Sequence, residues 1–307
     1  MDGMRPTQRT FGRFAPVLLA VSACLLSPAH AAADAPKAPP AAPATVTGEW
    51  LQANLDAREV VLLDARPLRD FLGNHLPGAQ SVTAENLRST AGGAPAVAYP
   101  PEILGAIFAR AGVSRASHVV VYGTEIDPDT TYVATAARIA GAARVSVLDG
   151  GFARWTADGR TVTKERRLFA PGKTELAADV TFLAPIDEVR KRVGDGKTVF
   201  LDVRSAEAFA AGHIPGAKSR AWKKDVDGGS LRPVAELRAE YEAAGVAWEK
   251  PVVVYCNSGH QASEGFWVLK YLLGHPDVRL YQGSWNEWST TPGTPRETSA
   301  PEAPAPK

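Results

Sequence analysis

Cys256 is the residue whose type and surroundings most clearly allow chemistry. It follows the apolar run Val252–Tyr255 and precedes a short polar loop containing Gly259, after which residues 264–273 have apolar side chains at helical spacing. This pattern predicts a strand, a tight loop and a helix. The N-terminus of a helix directs unpaired N–H groups and the positive end of its dipole toward the loop. We therefore expect Cys256 to be displayed rather than buried and to react as a thiolate; the alternative is an unreactive cysteine packed at a strand end.

Two cysteine chemistries use a strand, loop and helix of this kind. Protein tyrosine phosphatases need an arginine that closes the loop on phosphate, and this chain has Ala262 at that position, which argues against phosphoryl transfer. The flanking segments read LDVRSAEAFAAGHIPGA (residues 201–217) and LYQGSWNEW (residues 280–288). Together with the cysteine loop between them, these segments resemble the rhodanese family of sulfurtransferases.

The chain contains an internal repeat. Residues 62–81 match residues 200–219, and residues 147–155 match residues 280–288. Within each copy, short apolar strands alternate with helical patterns, which predicts an α/β fold with a mainly parallel sheet flanked by helices. In the second copy the predicted strands are 198–203, 252–255 and 278–281, and the predicted helices are 231–244 and 263–273. We predict two tandem rhodanese-like domains, at 46–165 and 176–290, with Cys256 at the ligand-binding edge of the second sheet.

The two copies differ at the cysteine. Gly123 stands opposite Cys256 in the repeat, and the loop that follows it carries Glu125, Asp127 and Asp129, which would repel an anionic substrate. We therefore expect the first domain to be catalytically silent. A silent first copy and an active second copy resemble the tandem-domain thiosulfate and 3-mercaptopyruvate sulfurtransferases.

That resemblance implies a two-step transfer of sulfane sulfur through a persulfide on Cys256. The substrates would be a small-molecule sulfur donor such as thiosulfate and a thiol or cyanide acceptor, and a periplasmic protein is a possible acceptor in the cell. Backbone N–H groups from Asn257 to Ala262 would stabilise the persulfide. No metal or organic cofactor is required, and the six histidines lack the spacing of a zinc site.

Several side chains are candidates for substrate binding. Arg204 lies just past a predicted strand, at the sheet edge where Cys256 is expected, and could bind a sulfonate or carboxylate, although Arg66 in the silent copy indicates a partly structural role. His260 could bring positive charge to the loop, or could simply face solvent. Two tryptophans and a further arginine could line the pocket. The predicted substrate-binding residues are Arg204, His260, Asn257, Ser258, Gly259, Gln261, Arg220, Trp222 and Trp285, and no residue is predicted to bind a metal.

The loop sequence favours thiosulfate as the donor. In the resembled family, mercaptopyruvate enzymes have a Cys-Gly-Ser/Thr-Gly-Val-Thr loop and a second arginine before the phenylalanine of the flanking segment, whereas this chain has CNSGHQ and Ala208 before Phe209. The basic residues that vertebrate thiosulfate enzymes carry beside the cysteine are also missing, so positive charge would come from His260, Arg204 or Arg220. Two alternatives remain open: a 3-mercaptopyruvate sulfurtransferase, and a periplasmic sulfur carrier or partner-binding module with little turnover.

The N-terminal sequence predicts export. Basic residues precede an apolar run at residues 14–26 and a small-residue cleavage site that ends at Ala31, which is typical of a signal peptide, residues 1–31, and indicates a periplasmic protein. Cys24 also stands in a lipobox-like sequence and would anchor the protein to the membrane if it were lipidated. We favour cleavage after Ala31, because the apolar run continues beyond Cys24.

Composition separates the two ends from the domains. Residues 32–45 and 291–307 are rich in Ala and Pro, which predicts a disordered linker and a disordered tail. The formal net charge is +1, from 34 basic and 33 acidic residues, so nothing indicates a nucleic-acid partner. Cleavage of the signal peptide would leave Cys256 as the only cysteine and exclude an intramolecular disulfide.

Overall fold

The computed structural model describes residues 42–89, 97–167 and 176–299. The first copy of the repeat consists of β1 (Thr45–Val46), α1 (Gly48–Asn54), β2 (Val60–Asp64), α2 (Leu68–Gly73), β3 (Gln80–Ser81), β4 (Arg88–Ser89), β5 (Val97–Ala98), α3 (Pro101–Arg110), β6 (His118–Tyr122), α4 (Pro128–Ile139), β7 (Arg144–Leu148) and α5 (Gly151–Ala157). The second copy consists of α6 (Ile186–Arg192), β8 (Val199–Asp202), α7 (Ala206–Ala211), β9 (Lys218–Ser219), β10 (Val226–Asp227), β11 (Ser230–Leu231), α8 (Val234–Ala243), β12 (Val252–Tyr255), α9 (His260–Trp267), β13 (Val278–Leu280) and α10 (Ser284–Thr290). None of the helices described is long and apolar enough to span a bilayer.

Each copy is built on one parallel sheet. The strand order is β1-β7-β6-β2-β3 in the first copy and β13-β12-β8-β9 in the second, with every neighbouring pair parallel. The central strands β6 and β12 are buried along their whole length, because helices cover both faces of a parallel sheet. The predicted α/β class, with two tandem domains of this kind, is confirmed.

The element boundaries in the second copy differ slightly from the prediction. Strand β12 has the predicted bounds. The helix predicted at 231–244 begins at Val234, because Pro233 is its N-cap and the preceding Ser230–Leu231 pairs with β10. The helix predicted at 263–273 begins earlier, at His260, and so brings the helix N-terminus closer to Cys256.

The two copies share a buried core. Helix α4 of the first copy packs against helix α9 of the second, and one hydrophobic cluster contains residues from both. Near the N-terminal ends of these helices the hydroxyl oxygens of Thr131 and Ser263 lie 3.1 Å apart. The indole N–H of Trp267 donates to the carbonyl of Ala44, at 3.3 Å. The loop that carries Cys256 therefore faces the first domain.

The end of the predicted linker is structured. Strand β1 pairs with β7, so that Thr45 already belongs to the first sheet. Ala44 is buried, and the Pro43 carbonyl accepts a hydrogen bond from the Ser146 hydroxyl at 2.6 Å. The prediction of disorder is therefore wrong for these last linker residues, because strand pairing overrides their Ala/Pro composition. The rest of the linker, up to residue 41, and the predicted signal peptide lie outside the described residues.

Part of the predicted tail is also structured. Glu297 and His213 form a backbone bridge, in which the N–H of His213 donates to the Glu297 carbonyl at 2.9 Å. The Trp288 indole N–H donates to the Pro295 carbonyl at 2.8 Å. The prediction of disorder is wrong for residues 291–299, which close the second domain, while residues 300–307 lie outside the described residues.

A buried histidine makes the first domain sensitive to acid. His118 lies at the start of β6, is 4% exposed, and bonds through Nε2 to the Ser146 hydroxyl at 2.8 Å. Burial, with a smaller effect of Arg144, lowers the pKa of His118 to about 4 from its usual 6.5. The unfolded chain therefore binds this proton at a higher pH than the folded chain, and stability is lost as pH falls from about 6.5 to 4.

We expect this one group to lower the free energy of unfolding by about 3 kcal/mol across that range. Urea unfolding of the wild type and of His118→Gln at pH 7.5 and pH 5 measures the effect. The variant should lose less stability between the two pH values than the wild type does, and equal losses would contradict the assignment.

Candidate active site

The loop between β12 and α9 depends on one glycine. Gly259 is the N-cap of α9 and adopts φ = +78°, in the left-handed region that favours glycine. A Cβ atom there would lie 2.7 Å from the Gln282 carbonyl oxygen and 2.9 Å from the Gln282 Cα. No side chain caps the first turn of α9, so its N–H groups are directed toward the loop that begins with Cys256.

Ser284 holds this loop in shape. The backbone N–H groups of Cys256 and Gly259 both donate to Ser284 Oγ, at 3.1 and 3.0 Å. The Ser284 hydroxyl in turn donates to the Tyr281 carbonyl at 2.7 Å. The Gly259 N–H, one of the amides predicted to stabilise a persulfide, is therefore occupied by a serine that the sequence reasoning missed.

The repeat contains a signal that could have identified Ser284. It aligns with Gly151 in the first copy, and both adopt positive φ, 55° for Ser284 and 54° for Gly151. In each copy the next N–H closes the loop: Trp285 N–H donates to the Cys256 carbonyl, and Phe152 N–H to the Gly123 carbonyl, both at 2.9 Å. A serine in a backbone conformation that favours glycine indicates that its hydroxyl has a role.

The thiol itself is covered. Cys256 is a free cysteine that is only 1% exposed, so the expectation that it is displayed is wrong for this structure. The reason is the packing of the first domain against the loop, which places Cys256 in the hydrophobic cluster shared by both copies. A substrate that reacted at this sulfur would have to displace some of this cover.

His260 connects the loop to the first domain. Its Nε2–H donates to the Asp129 carboxylate at 2.7 Å, and its ring meets the Tyr132 ring edge-on, with centroids 5.6 Å apart. The hydrogen bond from His260 lowers the pKa of Asp129. His260 is therefore neither free in solvent nor unpaired, and the Asp129 carboxylate lies beside any positive charge that it brings to the loop.

Two of the three acidic residues of the silent loop, Asp127 and Asp129, have structural partners. Asp127 is the N-cap of α4 and accepts hydrogen bonds from the Thr130 N–H and hydroxyl, both at 2.8 Å. Asp129 is held by His260. These carboxylates thus build the interface, a role that the expectation of simple repulsion did not include.

The structure also explains why the first copy carries no thiol. A Cβ atom on Gly123 would lie 2.3 Å from Thr130 Oγ1 and 2.8 Å from the Glu125 carbonyl oxygen. The side chain of Thr130 therefore occupies the space that Cys256 uses in the second copy.

The predicted arginines are already paired. Arg204 is 3% exposed, and its Nε and Nη2 bind the Asp202 carboxylate at 2.6–3.0 Å. Arg66 binds Asp64 in the same way in the silent copy, so this pair is architectural. Only Arg204 Nη1 turns toward the loop, 3.5 Å from Asn257 Oδ1.

Arg220 belongs to a different cluster. Its guanidinium binds the buried Asp225 and, through Nη2 at 2.9 Å, Glu240 on α8. The contacts seen among the described residues do not bring Arg220 to Cys256. A role for Arg220 in substrate binding therefore gains no support from this geometry.

The remaining predicted residues surround the loop at different depths. Asn257 is exposed, whereas Ser258 and Gln261 are half-buried. Trp285 is half-buried, and its ring lies 5.0 Å from the Arg204 guanidinium carbon. Trp222 is half-buried against the cluster that contains Cys256. Their contact with a substrate stays a prediction.

This architecture matches known proteins over both copies. The sequence model of the Rhodanese-like domain matches residues 47–158 and 185–291. A Synechococcus elongatus protein that carries the name thiosulfate sulfurtransferase is 34% identical over 296 residues, which cover 90% of this chain and 89% of that protein. The sulfur carrier protein TtuD of Thermus thermophilus is 32% identical over 272 residues, 81% of this chain and 95% of that protein. The crystal structure of SseA from Escherichia coli, described as a 3-mercaptopyruvate sulfotransferase of "Rhodanese" fold, has a TM-score of 0.74 at 28% identity and covers 79% of this chain and 99% of SseA.

Proposed function

The chain belongs to the rhodanese family, and from this premise we propose that it transfers sulfane sulfur from thiosulfate to cyanide or a thiol through a persulfide on Cys256. The observation that carries the proposal is the loop itself. Cys256 directly follows the buried strand β12, precedes the uncapped first turn of α9, and has its backbone N–H bound by Ser284. Donors fixed before the reaction stabilise a developing sulfur anion without having to reorganise.

The reaction is a two-step displacement at sulfur. In the first step the Cys256 thiolate attacks the outer sulfur of thiosulfate, a new S–S bond forms, and sulfite leaves with the electron pair of the bond that breaks. In the second step the carbon of cyanide attacks the outer sulfur of the persulfide. Thiocyanate leaves, and the electron pair of the broken S–S bond returns to Cys256 as thiolate. A thiol acceptor takes the sulfur in the same way and becomes a persulfide.

Thiosulfate is the donor we favour. The loop CNSGHQ and Ala208 depart from the mercaptopyruvate pattern, and thiosulfate sulfurtransferase is the name of a relative that matches most of this chain. The resemblance to TtuD, a sulfur carrier by name, supports a second candidate, in which the persulfide is handed to a protein partner and thiosulfate is turned over slowly.

Intact mass measured before and after incubation with thiosulfate tests the first step. We expect a gain of one sulfur atom, which cyanide removes. Thiocyanate formation in repeated turnovers then separates an enzyme from a carrier, since a carrier gains the sulfur but releases thiocyanate slowly. A protein that gains no sulfur from thiosulfate and does gain it from 3-mercaptopyruvate would overturn the choice of donor, and no gain from either would overturn the proposed chemistry.

We also propose that the protein is exported to the periplasm. The proposal is supported by the basic, apolar and small-residue order of residues 1–31. The intact mass of protein recovered from the periplasm reports the new N-terminus. A chain that begins at residue 32 supports cleavage after Ala31, a lipid-modified chain that begins at Cys24 supports membrane anchoring, and an unprocessed chain confined to the cytoplasm contradicts export.

A further inference from the structure

We propose that the silent first domain supplies the anion-binding half of the active site, in which Arg88 and Tyr132 hold the sulfonate end of thiosulfate. The proposal rests on the proposed function, because it assumes an anionic sulfur donor at Cys256. It assigns a substrate-binding role to two residues that the repeat places in the copy without a thiol.

The starting observation is a set of buried hydrogen-bond donors without partners. The Tyr132 side chain is 97% buried, since the residue is 3% exposed, and its hydroxyl has no hydrogen-bond partner among the described residues. Arg88 shows the same feature: its Nε and Nη2 atoms are buried and have no hydrogen-bond partner among the residues that the structure describes. Buried polar groups are almost always satisfied, so unsatisfied donors that are grouped together indicate a site for a ligand.

These donors lie together and beside the cysteine loop. The guanidinium carbon of Arg88 lies 4.4 Å from the centre of the Tyr132 ring. The Tyr132 ring lies at 77° to the ring of His260, the first residue of α9, with the centroids 5.6 Å apart. Burial raises the pKa of Tyr132 to about 12 and outweighs the opposite effect of the neighbouring Arg88 guanidinium. The Tyr132 hydroxyl therefore stays protonated, so it is a hydrogen-bond donor at neutral pH.

The unpaired edge of Arg88 has the right shape for an oxyanion. Arg66 and Arg204 use this same edge, formed by Nε and Nη2, to bind two oxygens of a carboxylate. A sulfonate presents two oxygens at a similar spacing and has a third for the Tyr132 hydroxyl. Arg88 can thus form with a ligand the same two-point hydrogen bonding that Arg66 forms with Asp64 and Arg204 forms with Asp202.

Charge considerations point to the same residue. The sequence suggested Arg204, Arg220 or His260 as the source of positive charge, and each of these is paired with a carboxylate. Arg88 has acidic neighbours, since its charge acts on Asp129 and Glu85 also lies near Tyr132. Neither carboxylate bonds to the Nε and Nη2 edge, so this edge remains available to thiosulfate. Thiosulfate that displaces the cover over Cys256 enters the buried cluster that also contains Tyr132.

The first test measures binding of thiosulfate to the full-length Cys256→Ser protein by calorimetry, because this protein cannot react. On this background we expect Arg88→Gln to raise Kd about tenfold or more and Tyr132→Phe to raise it about threefold, since a charge-assisted, two-point contact contributes more than a single hydroxyl. Arg69→Gln is the matched control in the same domain, because the Arg69 side chain is 87% exposed; it should leave Kd within about twofold. Unchanged binding in Arg88→Gln, or no thiosulfate binding by the Cys256→Ser protein, would overturn the proposal.

The second test uses turnover with Cys256 intact. Arg88→Gln should raise KM for thiosulfate and leave KM for cyanide unchanged, because only the donor carries the sulfonate. If both KM values and the melting temperature shift together, Arg88 has a structural role and the proposal is wrong. Should Arg88→Gln fail to fold, Arg88→Lys keeps the charge, loses the two-point geometry and has the same expected result. A protein that binds thiosulfate through Arg88 but forms no thiocyanate would contradict the proposed function and leave this subsite standing.

Discussion

Replacement of Cys256 with serine is expected to lower the rate of thiocyanate formation from thiosulfate and cyanide by a factor on the order of 10⁴ or more, because both steps pass through the sulfur of this residue. A serine hydroxyl at the same place is not ionised at neutral pH and forms no persulfide. The backbone contacts that shape the loop, from the Cys256 N–H to Ser284 and from Trp285 N–H to the Cys256 carbonyl, do not involve the thiol. The loss should therefore be chemical rather than structural.

Two controls make this result interpretable. Cys256→Ala removes the hydroxyl that serine would bury and should be equally inactive, with a melting temperature close to that of the wild type. Neither variant should gain mass with thiosulfate. Residual turnover above a few per cent of the wild-type rate in both folded variants would show that another group accepts the sulfur.

The sequence was sufficient for the fold because the relevant signals are local. β-Branched runs such as Val252–Tyr255 can be buried on both faces only in a covered parallel sheet, and the alternation with helices supplies that cover. The repeat likewise identified Gly123 as the counterpart of Cys256, and the structure adds the steric reason, which is the Thr130 side chain.

The parts of the site that the sequence did not predict depend on contacts between distant segments. Arg88 and Tyr132 lie in the other copy of the repeat, and only the packing of α4 against α9 brings them to the loop. The sequence shows Ser284 only as part of a family motif. Its role depends on a left-handed backbone conformation, in which its hydroxyl oxygen accepts hydrogen bonds from the N–H groups of Cys256 and Gly259. The burial of Cys256 follows from the same interdomain packing.

Composition misled the prediction at the ends of the chain, where the repeat would have corrected it. In the first domain, the Trp155 indole N–H donates to the Thr161 carbonyl at 2.9 Å, and His75 pairs with Thr163. In the second domain, Trp288 and His213 make the equivalent bonds to residues of the Pro-rich tail. A segment that closes one copy of a repeat is expected to have a structured counterpart in the other, whatever its composition.

The loop geometry itself gives a second prediction with a large effect, Gly259→Ala. Alanine at φ = +78° is strained by about 1–2 kcal/mol, and its Cβ would also lie 2.7 Å from a backbone oxygen and 2.9 Å from a backbone carbon of Gln282. These are backbone atoms of the segment before Ser284, so relief of the clash must move the loop, the serine or both. We expect a total loss of about 3 kcal/mol or more in the free energy of unfolding, together with a fall in turnover of at least about a hundredfold, since a displacement near 1 Å at the reacting centre has that effect.

Gly216→Ala separates the two causes, because Gly216 has nearly the same φ, +74°, and nothing within 4 Å of its added Cβ. It should lose only the strain energy of about 1–2 kcal/mol and keep wild-type turnover, as it lies in the turn after α7 rather than in the cysteine loop. Urea unfolding and thiocyanate formation, measured on both variants, give the comparison. If Gly259→Ala were no less stable than Gly216→Ala and equally active, the loop would tolerate a shift of its backbone. Catalysis would then not depend on the hydrogen bond that holds the Gly259 N–H against Ser284 Oγ. The N–H groups of the first turn of α9 would have to stabilise the persulfide by themselves.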